Sequence, residues 1–346
     1  MPPPVEGVGS YALALAAALL ERFGTTTRFL VGNPTWTDGQ ESAGGSVLKV
    51  AARSADDLAE LLGDSSVLLH YVNYGYHPLA CPLWLVEGLQ RWRARGGGRR
   101  LTTIFHEVYA GGPPWRKVFW TSPLQRRLAA TLARRSDEVA TTLELYAQML
   151  QPWIPGREIT VHPVFSTVGE PANLSPLRER VPRLVVFGSS GVRGRAYTGF
   201  RQALAATCRE LGIEEIADIG PPTSAASSPV EGVPLRRLGM LSAVEVSHLL
   251  RNSLAGFLAY PQPFLPKSTI FAAYCAHGVL PICSWIPRRG TGTLGKELTY
   301  WAPGGLPMRS ADLQAVASRA HTWYSGHTLA RQAALFHDLL VAANSR

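Results

Sequence analysis

The stretch RLVVFGSSGVRGRAYTGF runs an apolar, strand-like segment straight into Gly188, Ser189, Ser190, Gly191 and Gly194, with Arg193 and Arg195 where a helix begins. Backbone N–H groups at a helix start and guanidinium forks both bind phosphate. The spacing is neither GxGxxG nor a P-loop, so it supports neither a dinucleotide fingerprint nor a Walker site. A second such place is FLAYPQPFLPKSTIFAAYCAHGVLP, where a strand ends at Tyr260 and a Pro-rich loop leads to Lys267, Ser268 and Thr269. Ser268 or Thr269 suits a helix N-cap, and Lys267 adds positive charge beside the helix's positive end. Each stretch also has a plainer reading: solvated arginines on a loop, and ordinary capping beside a solvated lysine. Two phosphate-suited loops in one half strengthen the reading that both meet a diphosphate.

Three stretches in the first half suit hydroxyl and proton chemistry. In LTTIFHEVYAGGPPW an apolar strand ends on His106 and Glu107 and enters a Gly/Pro loop. Polar side chains at the carboxyl end of a strand are where an α/β site puts its chemistry. His106 can move a proton near neutral pH, and Glu107 can orient it or act as a base. In LLHYVNYGYHPLACPLW, Tyr71, Tyr74, Tyr76 and His77 follow another strand. Their rings could face sugar C–H surfaces or simply fill a core. Trp84, Leu85, Leu89 and Trp92 lie at helical spacing and read as core. In GVGSYALALAAALL, Gly7 and Gly9 allow a ligand to approach a helix start, or serve only a tight turn.

Positioning these residues needs a particular set of elements. Short apolar runs at 27–31, 46–51, 66–72, 101–105 and 137–141 read as strands. They alternate with helices that start near Val8, Ser54, Pro82, Ser122 and Thr142. The alternation restarts with strands at 183–188, 213–220, 234–239, 254–260 and 278–284, and helices at 195–211, 241–252 and 268–277. A helical tail runs from Ser310 to the end. Apolar strands separated by helices form parallel sheets covered on both faces. The expected architecture is two doubly wound, Rossmann-like halves with a ligand crevice between them. The domains expected are 1–168, 169–325 and a helix at 326–346 that crosses back to the first. The change falls in the Pro/Ser/Glu-rich connector 163–182. A doubly wound domain usually opens on a strand, yet this chain opens at the loop before a helix. Either the start as given is misassigned or the first strand is absent.

The 346 residues are 46% hydrophobic and 17% charged, which is ample for two packed cores and excludes a disordered chain. The net charge of +9 favours anionic partners. The arginines are spread along the chain and no nucleic-acid motif is present, so nucleic acid is not an expected partner. The four cysteines, Cys81, Cys208, Cys275 and Cys283, form no CxxC pair, so no zinc site or disulfide framework is expected. The first twenty residues lack a basic leader and are broken by Glu6 and glycines, which suits an amphipathic helix better than a signal peptide. The expected location is cytoplasmic, with peripheral contact to the inner membrane face through the basic surface.

The order GVGSYALALAAAL, FHE, VFGSSGVRGR, PLRRLGMLSAVEVSHLLRNSLAGFLAYP and KSTIFAAYCAHGVLPI resembles a GT-B glycosyltransferase. It is most similar to the large retaining, family 4-like group, over nearly the whole chain. The most specific part is 235–282: G-x-L-S-x-x-E-V, a helix, a strand ending in Tyr260-Pro261, and a helix ending Ala276-His277-Gly278. The resemblance implies a sugar transferred from a nucleotide-sugar donor, held by the second domain, to a hydroxyl of a glycan or lipid-linked acceptor. Ser190, Gly191, Arg193, Arg195, Lys267, Ser268 and Thr269 would meet the diphosphate. Leu238, Gly239 and Met240 would lie near the base, and His106 by the donor sugar, with Glu107 beside it. Gly7, Gly9, Tyr74 and Tyr76 fall on the acceptor side. No cofactor or metal is implied, because basic groups and helix dipoles stabilise the leaving diphosphate. Two positions where that group carries glutamates hold Leu265 and Ala273, and its usual Arg and Lys after the first strand of the second domain are replaced by the Ser/Gly/Arg loop. Two other classes stay open: a binding or scaffold protein on the same fold, and a nucleotide-sugar epimerase.

Overall fold

A computed structural model of the chain describes residues 7–32, 46–50, 53–96, 98–225, 229–285 and 310–341. It divides into two units, Met1–Pro163 with Leu329–Arg346, and Val164–Thr328. The sequence reading put these changes at 168/169 and 325/326.

In the first unit, helix α1 (Gly7–Phe23) is rich in Ala and Leu, the strongest helix formers, and buries Tyr11, Leu15, Ala16 and Leu19. Gly24, at φ +66°, closes it by donating its N–H to Leu20 O at 2.9 Å. Strands β1 (Phe29–Val31) and β2 (Val47–Lys49) pair in parallel. Ser54 caps α2 (Ala55–Leu62) through Asp57 N–H, and Asp56 and Asp57 sit in its first turn, where the helix dipole favours acids. Then follow β3 (Val67–Tyr71), a short helix α3 (Asn73–Tyr76) that the sequence reading lacked, α4 (Leu83–Ala94) and β4 (Leu101–Phe105). Next come α5 (Lys117–Arg135), β5 (Glu138–Thr141), α6 (Glu144–Leu150) and β6 (Thr160–Val161). Helix α5 begins ahead of the expected Ser122 and contains Pro123. Strands β3-β4-β5-β6 form one parallel sheet, while β1-β2 form a separate two-stranded piece. Every residue of β4 is buried, as a strand covered on both faces should be.

The second unit runs β7 (Val181–Phe187), α7 (Ser190–Tyr197), α8 (Arg201–Glu210), β8 (Glu215–Ile219), β9 (Leu235–Gly239), α9 (Ala243–Arg251) and β10 (Ser253–Pro261). A 3-10 turn (Gln262–Lys267), α10 (Thr269–Ala276), β11 (Leu280–Trp285) and α11 (Ser310–Ser325) complete it. The expected single helix 195–211 is two helices, interrupted around Gly199, because glycine is a poor helix former. Ser242 and Glu245 form a reciprocal capping box on α9. The five strands are all parallel in the order β11-β10-β7-β8-β9. Leu184, Val186, Ile216, Phe257 and Ile282 centre its core. Successive connections run one way from β7 through β8 to β9 and the other way to β10 and β11. The switch point therefore lies between β7 and β10, where such sheets bind ligands at their carboxyl ends. The last helix, α12 (Leu329–Val341), returns to the first unit. The expected continuous tail is broken at Gly326.

Candidate functional site

Three strands of the second unit end in glycine turns that are tied together. Gly188, after β7, donates to Ile219 O at 3.1 Å, and Gly220, after β8, donates to Gly239 O at 2.8 Å. A Cβ on Gly220 would stand 2.2 Å from Gly188 O, so the two turns touch backbone to backbone. Gly188 has φ +126°, and a Cβ there would meet Ile270 Cδ1 at 2.5 Å. Ile270 is in the first turn of α10 and Gly188 precedes the cap of α7, so the starts of the two helices lie side by side across the switch point. Ser189 caps α7 by accepting from Val192 N–H at 3.5 Å, and Ser268 caps α10 by accepting from Phe271 N–H at 3.2 Å. Ser190 and Gly191 are exposed on the first turn of α7, and Thr269 opens α10 half-buried. The remaining N–H groups of those first turns form a donor-rich surface suited to an anion.

The basic residues there divide. The Nε of Arg195 is buried with no hydrogen-bond partner among the described residues, an unmet donor at this edge. Lys267 ends the 3-10 turn and lies 5.4 Å from the Phe264 ring centroid, in cation–π range. Arg193, expected at the diphosphate, is placed otherwise. It is 1% exposed, pairs with buried Asp218, and donates to Gly188 O at 3.0 Å and to Pro221 O. Tyr197 O–H donates to the other oxygen of Asp218 at 2.7 Å. Arg193 thus holds the turns that carry the site and has no face left for phosphate. Leu238 and Gly239 end β9 and Met240 follows it, with Gly239 at φ +67° and Met240 72% exposed. Leu265 and Ala273 are fully buried and apolar, so no carboxylate stands at either position.

In the first unit the carboxyl ends of β3 and β4 carry the other candidates. His106 is 7% exposed. Its Nε2 lies 3.1 Å from Nδ1 of His70, and the two rings stack at 5.4 Å between centroids. Tyr11 of α1 packs edge-on to both. Burial pushes the His70 pKa down to about 4, so that ring is neutral at pH 7. His70 was not among the expected site residues; its signal was a polar residue inside an otherwise apolar strand. The charge of Glu107 helps raise the Tyr146 phenol, after burial as the larger cause. Gly7 is exposed with open space around it, and Gly9 is buried. Tyr74 is 56% exposed, whereas Tyr76 spends its hydroxyl on His70 O at 2.8 Å. Tyr76 therefore reads as a brace for β3, a correction to its acceptor-side expectation. Asn73 and Gln125, both buried and both missed in the sequence, tie the two loops. Asn73 Nδ2 donates to Gln125 Oε1 at 3.0 Å, and that oxygen also accepts from Ala110 N–H at 3.0 Å. Among the described residues no group of three or more His, Cys, Asp or Glu could hold a metal ion, and no helix is long and apolar enough to cross a membrane.

No family model and no curated protein matches the chain. Solved structures do. An E. coli structure described as trehalose-6-phosphate bound with UDP-2-fluoro glucose is similar at 13% identity and TM-score 0.62, over 99% of this chain and 97% of that one. A glycosyltransferase from Rickettsia africae is 14% identical with TM-score 0.59, covering 99% and 98% of the two chains. WaaG, a glycosyltransferase involved in lipopolysaccharide biosynthesis, is 11% identical with TM-score 0.56, covering 98% and 97%. The chain has the fold of the GT-B glycosyltransferases over nearly its whole length.

Proposed function

We propose that this GT-B chain transfers a sugar from a nucleoside-diphosphate sugar to a hydroxyl acceptor. The observation that carries the reading is the pair of helix starts, α7 and α10, held side by side at the switch point by Gly188 against Ile270. Leaving-group charge develops on a diphosphate, and fixed N–H dipoles with a nearby cation stabilise it without reorganising. Ser190, Gly191, Thr269, Arg195 and Lys267 supply those groups, and no metal is needed for the step. The exposed end of β9 at Met240 offers the base an apolar surface.

On the first unit, His106 with Glu107 serves the sugar side. The stack against neutral His70 holds the His106 ring at the carboxyl end of β4, where an imidazole can hydrogen-bond a sugar hydroxyl. Exposed Tyr74 and Gly7, the first residue of α1, belong to the acceptor side. A lipid-linked or membrane-proximal acceptor is favoured by an aromatic–basic surface ahead of and within α5. Trp115 and Trp120 are 84% and 74% exposed, with Phe119, Arg116 and Lys117 also exposed between them. Such a surface seats rings at the headgroup level while cations meet anionic lipid.

The test is a thermal-shift and calorimetry panel of nucleoside diphosphates and their sugars, followed by turnover assays. A donor should raise stability by mass action. Arg195→Ala and Lys267→Ala should each weaken it by about 1.5–3 kcal/mol. His106→Ala should lower kcat more than affinity. Equal binding by parent and both cation variants would refute the donor site. Buried Leu265 and Ala273 favour a second reading, a GT-B binding protein, which nucleotide binding without turnover or donor hydrolysis would support.

A further inference from the structure

Helix α5 buries one stripe of its surface, in which Leu128, Ala129 and Leu132 are apolar. Gln125 opens the stripe at the same helical spacing and is 1% exposed. A carboxamide sealed in an apolar layer is costly unless its polar atoms are met. Here both lone pairs and both N–H groups find partners. Oε1 accepts from Asn73 Nδ2 and from Ala110 N–H, each at 3.0 Å. Nε2 donates to Thr121 Oγ1 at 2.8 Å and to Leu79 O at 3.4 Å. One side chain of α5 thus bonds the start of α3, the loop after it and the loop after β4.

Those loops are the ones that carry the chemistry of the first unit. Residues 107–113, which follow His106, lie in no helix or strand, and neither do residues 77–82 after α3. Backbone of that kind takes its course from the groups that bond it. Gln125 reaches the first loop at Ala110, just past Glu107, and the second at Leu79. Through Asn73, itself 2% exposed, it also reaches Tyr74, whose N–H donates to Asn73 Oδ1 at 2.9 Å. The next residue of α5 adds a second hold, because the Arg126 guanidinium stands 5.3 Å from the centroid of the Tyr109 ring, in cation–π range. Successive residues of α5 therefore grip successive residues of the Glu107 loop.

We propose that Gln125 is the positioning residue for Glu107 and Tyr74: its carboxamide, fixed on α5, sets the course of both loops, and removing it slows sugar transfer while leaving donor binding intact. The kinetic consequence rests on the glycosyltransferase reading; the course of the loops does not. If the stripe only needed filling, apolar side chains would serve, since replacing a bonded polar pair by apolar groups of the same shape is nearly neutral. What they lack is direction. Hydrogen bonds of this length fix where Ala110 N–H and Asn73 Nδ2 lie, whereas an apolar contact lets a loop slide. A displacement of about 1 Å in a group that meets the reacting atoms is enough to lower turnover by about a hundredfold.

The experiment compares the parent with Gln125→Ala, with Gln125→Leu plus Asn73→Leu, and with Leu128→Ala, a truncation further along the same stripe. Melting temperature and amide hydrogen exchange are measured for each. Kinetics are measured with the donor that the parent selects from a panel of UDP-, GDP- and ADP-linked hexoses, with water as the acceptor. Gln125→Ala and Leu128→Ala should both melt lower by about 4 °C or more. Only the Gln125 variants should exchange at least about tenfold faster at 73–79 and 107–112. Only they should lose kcat by about tenfold or more, with donor KM within about twofold of the parent. The double variant should melt closer to the parent than Gln125→Ala, yet exchange and turn over like it. Recovery of protection and turnover in the double variant overturns the proposal. So does loosening of the same loops by Leu128→Ala, parent-like protection in Gln125→Ala, or a loss of donor affinity as large as the loss of turnover. A parent that binds no member of the panel sinks the glycosyltransferase reading instead, and the exchange comparison still decides whether Gln125 sets the loops. If Gln125→Ala does not fold, the double variant against Leu128→Ala carries the comparison.

Discussion

Arg193→Ala separates a residue that builds the proposed donor edge from Arg195, the one proposed to touch the donor. The Arg193 guanidinium is 1% exposed and its partner Asp218 3%. Besides that ion pair it donates to Gly188 O at 3.0 Å and to Pro221 O. Truncation leaves the Asp218 carboxylate buried with only the Tyr197 hydroxyl, 2.7 Å away. Removing one member of a buried pair costs about 3–5 kcal/mol, because the other charge stays desolvated. For a unit of this size each kcal/mol is worth roughly 2–4 °C, so the second unit should melt about 6–20 °C lower. Removing both charges, as Arg193→Met with Asp218→Leu, should recover most of that loss. The assay is calorimetric melting of parent, single and double variants, with nucleotide titrations well below each transition. Below its transition, Arg193→Ala should retain far more donor affinity than Arg195→Ala. A variant that melts within about 2 °C of the parent yet loses donor binding tenfold would refute the reasoning and return Arg193 to the phosphate.

Three further outcomes follow from named groups. His277 is fully buried, with Nδ1 2.8 Å from Ala273 O and Nε2 2.8 Å from Ser247 Oγ, and burial first, then nearby Arg180, Arg251 and His321, bring its pKa down to about 4. The unfolded chain takes up this proton near pH 6.5, so stability should fall between pH 6.5 and 4 by about 1.4 kcal/mol per unit, and His277→Gln should show a shallower fall in urea titrations. Trp115→Ala with Trp120→Ala should reduce co-sedimentation with anionic phosphatidylglycerol vesicles at least about fivefold while leaving the melting temperature unchanged, since both rings are exposed. Gly256→Ala should cost about 1–3 kcal/mol in urea unfolding, because the new methyl would stand 2.4 Å from the Tyr274 ring, whose hydroxyl is pinned to Val185 O and Phe257 O.

Much of the architecture was legible because its signals are local. β4, β7 and β10 are short apolar runs, and Ser54 and Ser242 mark α2 and α9 by capping chemistry. What was not legible depends on direction. Arg193 and Arg195 are two residues apart, and at 100° per residue they leave a helix on nearly opposite sides. Only one can turn inward to β8. The signal for which one was Asp218, a carboxylate flanked by apolar residues in the strand IEEIADIG, since a buried charge demands a partner. Tyr76 was misplaced for the same reason: the sequence shows a phenol after a strand, but not that α3 folds it back onto His70 O. The pairing of Asn73 with Gln125 joins residues from distant elements, and no spacing rule reports such a contact.

Helix α1 links α12 to the histidine pair of the first unit. Helix α1 is held by α12. Tyr11 O–H donates to Gln332 Oε1, Gln332 Nε2 donates to Pro163 O at 2.5 Å, and Phe23 stacks on His337 at 4.1 Å. These contacts clamp the helix to α12, while Gly9, Ala12 and Leu19 line a cavity of about 950 Å³ shared with β1 and β3. Tyr11 belongs to both systems, bonded to α12 through its hydroxyl and packed by its ring edge on His70 and His106. Displacement of α1 therefore reaches the histidine pair through one ring, and Tyr11→Ala should disturb His70 and His106 together.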